Sequence, residues 1–271
     1  MPEAAGQPGS GPLVSVVTVC LNSERYIAET MESVLAQSYP HIEHLVVDGG
    51  STDGTLEIIR SFEPRFEGRM RWVSESDEGI YDAMNKGIAM CQGALIGLLN
   101  SDDRYLPDAV ETVVREFERD PSAGAVYGDA VIIDEAGSFV RLEPARVLAP
   151  GDRRPDWLPM CHQSLFVMRG TYAEVGAYDT EYRILADYEF VLRCLARGVT
   201  FRHVGTAIAE FRLGGVCNLD TISANRERER IRVSYGSGRL YEALRRIRHS
   251  ANMRVHGLLS QLLPGLRRTQ S

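Results

Sequence analysis

Three short apolar runs set the architecture of this chain. They are Leu13–Cys20 (LVSVVTVC), Ile42–Val47 (IEHLVV) and Ala94–Leu99 (ALIGLL), and segments of helical period separate them. Runs this short and this uniformly apolar fit strands buried on both faces. After the first comes a helix with apolar residues at Ile27, Met31, Val34 and Leu35, ending near Tyr39-Pro40. After the second, Ser51 or Thr52 is placed to cap a helix through Leu56, Ile58 and Ile59. Met70–Val73 reads as a further short strand and Ile80–Met90 as a helix. Pro107 suits a first helical position, with Asp108 and Glu111 in the first turn and Val110, Val113, Val114 and Phe117 as the apolar stripe. Strands alternating with helices imply an α/β fold, a mostly parallel sheet covered on both faces.

The second half is less regular. Ala125–Ile133, Ser164–Met168 and Thr200–Ile208 read as strands, and Ala186–Arg197 as a helix. Residues 1–12, rich in Gly, Pro and Ala, lack the basic and apolar regions of a signal peptide and read as a disordered lead-in. The main domain is expected over 13–225, with a basic helical tail over 226–271.

Net charge is −7, so nothing global points to nucleic acid. The five cysteines, at 20, 91, 161, 194 and 217, include no CxxC, which argues against a zinc site or disulfide framework and fits a reducing cytoplasm. No stretch approaches the roughly 20 apolar residues of a membrane span.

The fourth strand ends in Asn100, Ser101, Asp102 and Asp103. Ligands of open parallel sheets bind beyond the carboxyl ends of the strands, where Thr18–Asn22 and Asp48 also fall. Adjacent carboxylates repel, and a hard divalent cation, Mg²⁺ or Mn²⁺, relieves that repulsion while taking up substrate phosphates. The plain alternative is a polar turn between strand and helix. VVDGGSTDGT offers Asp48 to a base N–H or ribose hydroxyl, or simply makes an Asp-Gly turn; it is neither a dinucleotide fingerprint nor a P-loop. DEGIYDAMNKGI sets Tyr81, Asn85 and Lys86 on or near a helix, Lys86 being either a phosphate screen or a solvated lysine. In ILADYEFVLRC, Asp187 is either a general base or a partner of the helix dipole.

Taken together and in order, TVCLNSERYIAETMESVLAQSYPHIEHLVVDGGSTDGT, DAMNKG, NSDD and LADYEF resemble a family 2 glycosyltransferase of the GT-A (Rossmann-like) fold. The resemblance covers about residues 13–215 and is nearest in flavour to bacterial enzymes of cell-surface polysaccharide and glycolipid synthesis. It implies a nucleotide-sugar donor, UDP-sugar favoured, and a glycan or lipid-linked acceptor. It implies that Thr18 and Cys20 line the base and that Asp48 contacts it. Asp102 then lies near ribose or metal, Asp103 is the favoured metal ligand, and Asp187 is the base of an inverting transfer. Asn22, Tyr81, Asn85, Lys86 and Ser101 complete the nucleotide side. The sequence departs from the family pattern at Asn100, where the acidic triplet usually begins, at Gly49, at Ala186 and at Leu213. Arg212 is available to reach the diphosphate, or stands as a surface arginine.

His162 and Gln163, in MCHQSLF, are candidates to contact donor sugar or acceptor, and Trp157, in a Pro-rich loop, to stack on a sugar. From residue 239 onward seven arginines face one acid, Glu242. That tail fits the inner face of an anionic membrane, near a lipid-linked acceptor, or a helix packed on its own domain or on a second subunit of a homodimer. Two rival functions are a nucleotidyltransferase, which would want a basic Gly-rich loop where CLNSERY stands, and a non-catalytic nucleotide- or sugar-binding module.

Overall fold

A computed structural model of the protein describes residues 11–148, 152, 157–214 and 221–235. They fall in two units, Met1–Thr221 and Ile222–Ser271.

The first unit is built on nine strands. In chain order it contains β1 (Val14–Cys20), α1 (Ile27–Leu35), β2 (Ile42–Asp48), α2 (Thr55–Phe62), β3 (Met70–Ser74), α3 (Ile80–Met90), β4 (Leu95–Asn100) and β5 (Arg104–Tyr105). There follow α4 (Ala109–Arg119), β6 (Ala125–Ile133), β7 (Phe139–Glu143), a 3₁₀ turn (His162–Ser164), β8 (Leu165–Met168), α5 (Arg169–Val175), α6 (Ala186–Ala196) and β9 (Phe201–Arg212). The sheet order is β3-β2-β1-β4-β8-β6-β9-β5, with β7 on the side of β6. The first four strands run parallel. Beyond β4 the sheet is mixed: β8 is antiparallel to β4 and β6, and β9 runs parallel to β6.

Every residue of β1 and β2 is buried, as helices on both faces require. The α4 stripe packs down with Val110, Val113, Val114 and Phe117 all buried. Gly97 sits where β4 passes under the Phe166 ring: a Cβ there would lie 2.5 Å from Phe166 Cε1 and 2.6 Å from Tyr105 Oη. Removing the Phe166 ring from this fully buried site would cost about 3–5 kcal/mol.

Local chemistry corrects two expected helix starts. Neither Ser51 nor Thr52 caps α2; the helix begins at Thr55, whose N–H donates to Asp53 Oδ1 at 3.1 Å. Pro107 precedes α4, which begins at Ala109 after Asp108. The short strands β5 and β7 and helix α5 carry no periodic signal, and β9 runs on to Arg212, past the expected end at Ile208.

The last described helix, α7 (Thr221–Ser234), starts at the final residue of the first unit and otherwise belongs to the second. The basic tail from residue 236 and the lead-in over 1–10 lie outside the described residues. No described helix is long and apolar enough to cross a membrane.

Candidate functional site

Register brings the polar strand ends to one level. Cys20 pairs with Asp48, Asp48 with Ser74, and Val19 with Asn100. The loops beyond are stitched side by side. Asn22, at a left-handed φ of +50° that Asn tolerates, donates its N–H to Ser51 Oγ at 2.7 Å and accepts from Thr52 N at 2.9 Å through Oδ1. Ser23 Oγ meets Ser101 Oγ at 2.7 Å, joining the β1 loop to the β4 loop.

Asp48 has no exposed surface. Burial pushes its carboxyl up, but the donors around it outweigh burial and hold it below the ordinary value. They are Ser51 Oγ, Ser74 Oγ (2.7 Å), Ser51 N (2.9 Å) and Gly50 N (3.0 Å). Asp48 thus shapes its own turn. Behind it, Cys20 Sγ donates to Asp48 Oδ1 at 3.6 Å, and burial raises the thiol strongly. Thr18 does not line the cleft: it is fully buried and its Oγ1 bonds His44 Nε2 at 2.9 Å.

At the end of β4 the two carboxylates divide. Asp103 is 1% exposed and both its oxygens are taken, Oδ1 by Arg212 N at 2.9 Å and Oδ2 by Gln163 Nε2 at 2.6 Å. Burial and then the Asp102 charge push it well above the ordinary range. It latches the β4 end to β9 and to the turn before β8. Asp102 is the open one. Burial raises it, and its own backbone N–H and the Arg212 charge draw it back. The neighbouring Asn100 Oδ1 is buried with no hydrogen-bond partner.

Arg212 is not free to reach a diphosphate. It is 2% exposed and stacks 4.3 Å from the Tyr26 ring centroid. Its Nε donates to Asp102 O (3.0 Å), Nη1 to Glu135 O (2.9 Å) and Nη2 to Glu29 Oε2 (2.7 Å). Lys86 is likewise spent: Nζ meets Ser76 O at 2.9 Å, Glu75 Oε1 at 3.0 Å and Asp82 Oδ2 at 3.3 Å, which uses all three donors.

A second cluster gathers around Asp187, in the first turn of α6. Tyr81 Oη lies 3.2 Å from Asp187 Oδ1 and 2.9 Å from Ile184 O. Tyr188 N donates to the same Oδ1 at 2.7 Å. Among the described residues, no donor on another residue reaches Oδ2. Burial raises this carboxyl, with His162, Tyr188 N and Tyr81 opposing. His162 is buried and its imidazole is pushed down; Nε2 meets Tyr178 Oη at 3.2 Å. Asn85 exchanges two hydrogen bonds of 2.9 Å with the Tyr178 backbone, so its amide holds the wall of the cluster. His162 and Gln163 therefore face inward, toward Tyr178 and Asp103, whereas Trp157 is 60% exposed. Sequence reasoning passed over Tyr178, Ser74, Tyr26 and Glu29. Tyr26 and Glu29 flank a legible helix start, but an apolar-period reading gives polar positions no weight.

A parallel sheet that gathers Asp48, Ser101 and Asp102 at its carboxyl edge, with a half-buried carboxylate in the first turn of α6, is the build of a GT-A glycosyltransferase. Residues 15–175 match the family model for Glycosyl transferase family 2, and the chain belongs to that family. A "PGL/p-HBAD biosynthesis glycosyltransferase" of Mycobacterium tuberculosis is 30% identical over 216 residues, 77% of this chain and 80% of that protein. The solved structure of S. aureus TarS 1-349 with UDP-GlcNAc aligns with a TM-score of 0.64 at 15% identity, over 78% of this chain and 62% of that one. Mannosyltransferase PcManGT from Pyrobaculum calidifontis, in complex with GDP-Man and Mn²⁺, aligns with a TM-score of 0.60 at 20% identity, over 84% and 63%.

Proposed function

We propose that the chain is an inverting, metal-assisted glycosyltransferase. It moves a sugar, a hexose favoured, from a UDP-sugar to a hydroxyl of a glycan or lipid-linked acceptor. The observation that carries this is the Asp187 carboxylate. It is pushed up by burial, and the bonds it takes from other residues fall on Oδ1 alone. Oδ2 is left to accept the proton of an acceptor hydroxyl. As that proton passes to Oδ2, the acceptor oxygen bonds the anomeric carbon from the face opposite the nucleotide. The bond from that carbon to the diphosphate oxygen breaks as the new bond forms, and the electron pair leaves on the diphosphate. One base suffices, and no enzyme nucleophile takes part.

The residues present fit a divalent cation. Asp102 is the less buried carboxylate at the β4 end, half-buried where Asp103 is buried, and Asn100 Oδ1 is a buried oxygen without a partner. No cluster of three or more His, Cys, Asp or Glu suited to a metal exists among the described residues, so substrate phosphates would complete the shell. Asp102 would hold the ion, which when bound neutralises charge on the departing diphosphate. The Mn²⁺ in the PcManGT complex supports this reading, and the UDP-GlcNAc of the TarS complex supports the donor class. The nucleotide would lie along the stitched edge of Asn22, Asp48 and Ser101. Thr18, Cys20, Asn85 and Lys86 would support that edge from behind.

Calorimetric titration with UDP, GDP and dTDP, each in Mn²⁺ and then in EDTA, tests the reading. Metal-dependent binding of UDP is expected. Equal binding of UDP in both buffers overturns the metal assignment, and no binding of any nucleotide overturns the donor site.

A further inference from the structure

The 3₁₀ turn His162–Ser164 is three residues long, and all three side chains are buried. Each is bonded to a different part of the chain: His162 to Tyr178, Gln163 to Asp103 on the β4–β5 connection, and Ser164 Oγ to Gly128 O of β6 at 2.7 Å. Burying a polar group costs free energy unless it is bonded. Three in succession, each satisfied by a distant partner, make this turn a junction between elements.

The junction lies between the two ends of the proposed reaction centre. On one side, Tyr178 packs against Tyr81 with ring centroids 5.4 Å apart, and Tyr81 Oη reaches Asp187. On the other, Asp103 adjoins Asp102 and is otherwise held at Oδ1 by Arg212 N. We propose that His162 and Gln163 are positioning residues. His162 sets the Asp187 carboxyl through the Tyr178 and Tyr81 rings, and Gln163 sets the Asp102 end through Asp103. The inference rests on Asp187 being the base and Asp102 the metal ligand.

Among the described residues, the titratable groups facing Asp187 are Tyr81 from α3, His162 from the turn and Tyr178 from the connection between α5 and α6. Burial raises Asp187 and His162 opposes that rise. Loss of His162 therefore moves the carboxyl further up, whereas loss of Gln163 leaves it alone. The two neighbours should fail in different ways.

The test compares His162→Leu, Gln163→Leu and Ser164→Ala, the last removing a bond of the same turn that reaches neither end. Mn²⁺·UDP affinity is read by calorimetry, and kcat/KM is followed against pH. Gln163→Leu is expected to weaken Mn²⁺·UDP about tenfold and leave the acid limb of the profile in place. His162→Leu is expected to move that limb to higher pH, losing about tenfold at pH 6 relative to pH 8.5, with Mn²⁺·UDP affinity within about twofold. His162→Gln, which keeps a hydrogen-bonding atom near the Nε2 position but carries no charge, should hold kcat/KM at pH 8.5 closer to the parent than His162→Leu does while the acid limb stays displaced. If a leucine variant does not fold, the shorter polar variants His162→Asn and Gln163→Asn are read in the same way. His162 and Gln163 variants that only lower kcat uniformly, as is expected of Ser164→Ala, overturn the proposal. An active Asp187→Asn enzyme overturns the base reading instead. UDP binding unaffected by EDTA overturns the metal reading and the Gln163 half with it.

Discussion

Asp48, fully buried, and Asp187, half-buried, both stand at the proposed active edge, yet their surroundings drive them in opposite directions. Asp48 is wrapped by donors from its own turn and from Ser74, and the bonds hold it below the ordinary carboxylate range. Asp187 sits among Tyr81, Tyr178 and His162 with two donors from other residues, both on one oxygen, and burial holds it above that range. The first arrangement fixes an anion for good, because every lone pair that loses its donor is penalised. The second keeps an anion poised to take a proton. In the proposed function, one carboxylate builds the nucleotide side and the other is fitted to run the chemistry.

The contrast breaks most visibly in turnover. Asp187→Asn is expected to lower kcat about 10³-fold while UDP affinity stays within about threefold, since a positioned base contributes roughly 10²–10⁴-fold. Steady-state kinetics beside calorimetry separates the two effects, and a matching loss of UDP affinity would erase the distinction between the regions. The counterpart on the other side is Asp48→Ala. It removes the acceptor of two backbone N–H groups and two hydroxyls in part-buried hydrogen bonds and should cost about 2 kcal/mol of unfolding free energy. Denaturant midpoints measure it, and a loss below about 0.5 kcal/mol would mean that the turn does not depend on its carboxylate.

The same contrast governs what could be read from the sequence. The donors around Asp48 come largely from VVDGGST itself, so a single stretch announces the turn, and the parallel strands on either side follow from their apolar runs. The partners of Asp187 come from residues 81, 162 and 178, which only the mixed half of the sheet brings together. Order along the chain carried the resemblance there, but no local pattern carried the contacts. Adjacent residues with like chemistry were the hardest case. Asp102 and Asp103 differ only in which of them points under Arg212 and Gln163, and nothing in NSDD encodes that. Arg212 read as an exposed cation because the strand that buries it extends four residues past its legible end at Ile208. Thr18 read as a lining residue although β1 is covered on both faces, where alternation cannot tell a cleft from a core.

The smallest expected effect is on stability against pH, and it tests the two environments in one measurement. Asp48 has a folded value below the unfolded carboxylate value of about 3.9. Its stabilisation is therefore present above that value and is lost as pH falls through the folded one. Asp187 has a folded value above the unfolded one, so its contribution is favourable below about 3.9 and is lost as pH rises through the folded value. At pH 7.5 the ionised Asp187 is thus a net cost to the fold. Asp187→Asn should unfold at a higher temperature than the parent at pH 7.5, with the gap closing as pH approaches 4. Asp48→Asn should unfold at a lower temperature at pH 7.5, and its gap should persist at pH 4 and shrink only at more acid pH. Thermal unfolding of the three proteins from pH 8 down to about pH 2 reads both slopes. Parallel curves would mean that the two carboxylates share one environment. Curves that diverge in these directions would tie the catalytic side to a carboxylate the fold keeps under strain, at the edge where the nucleotide side has none.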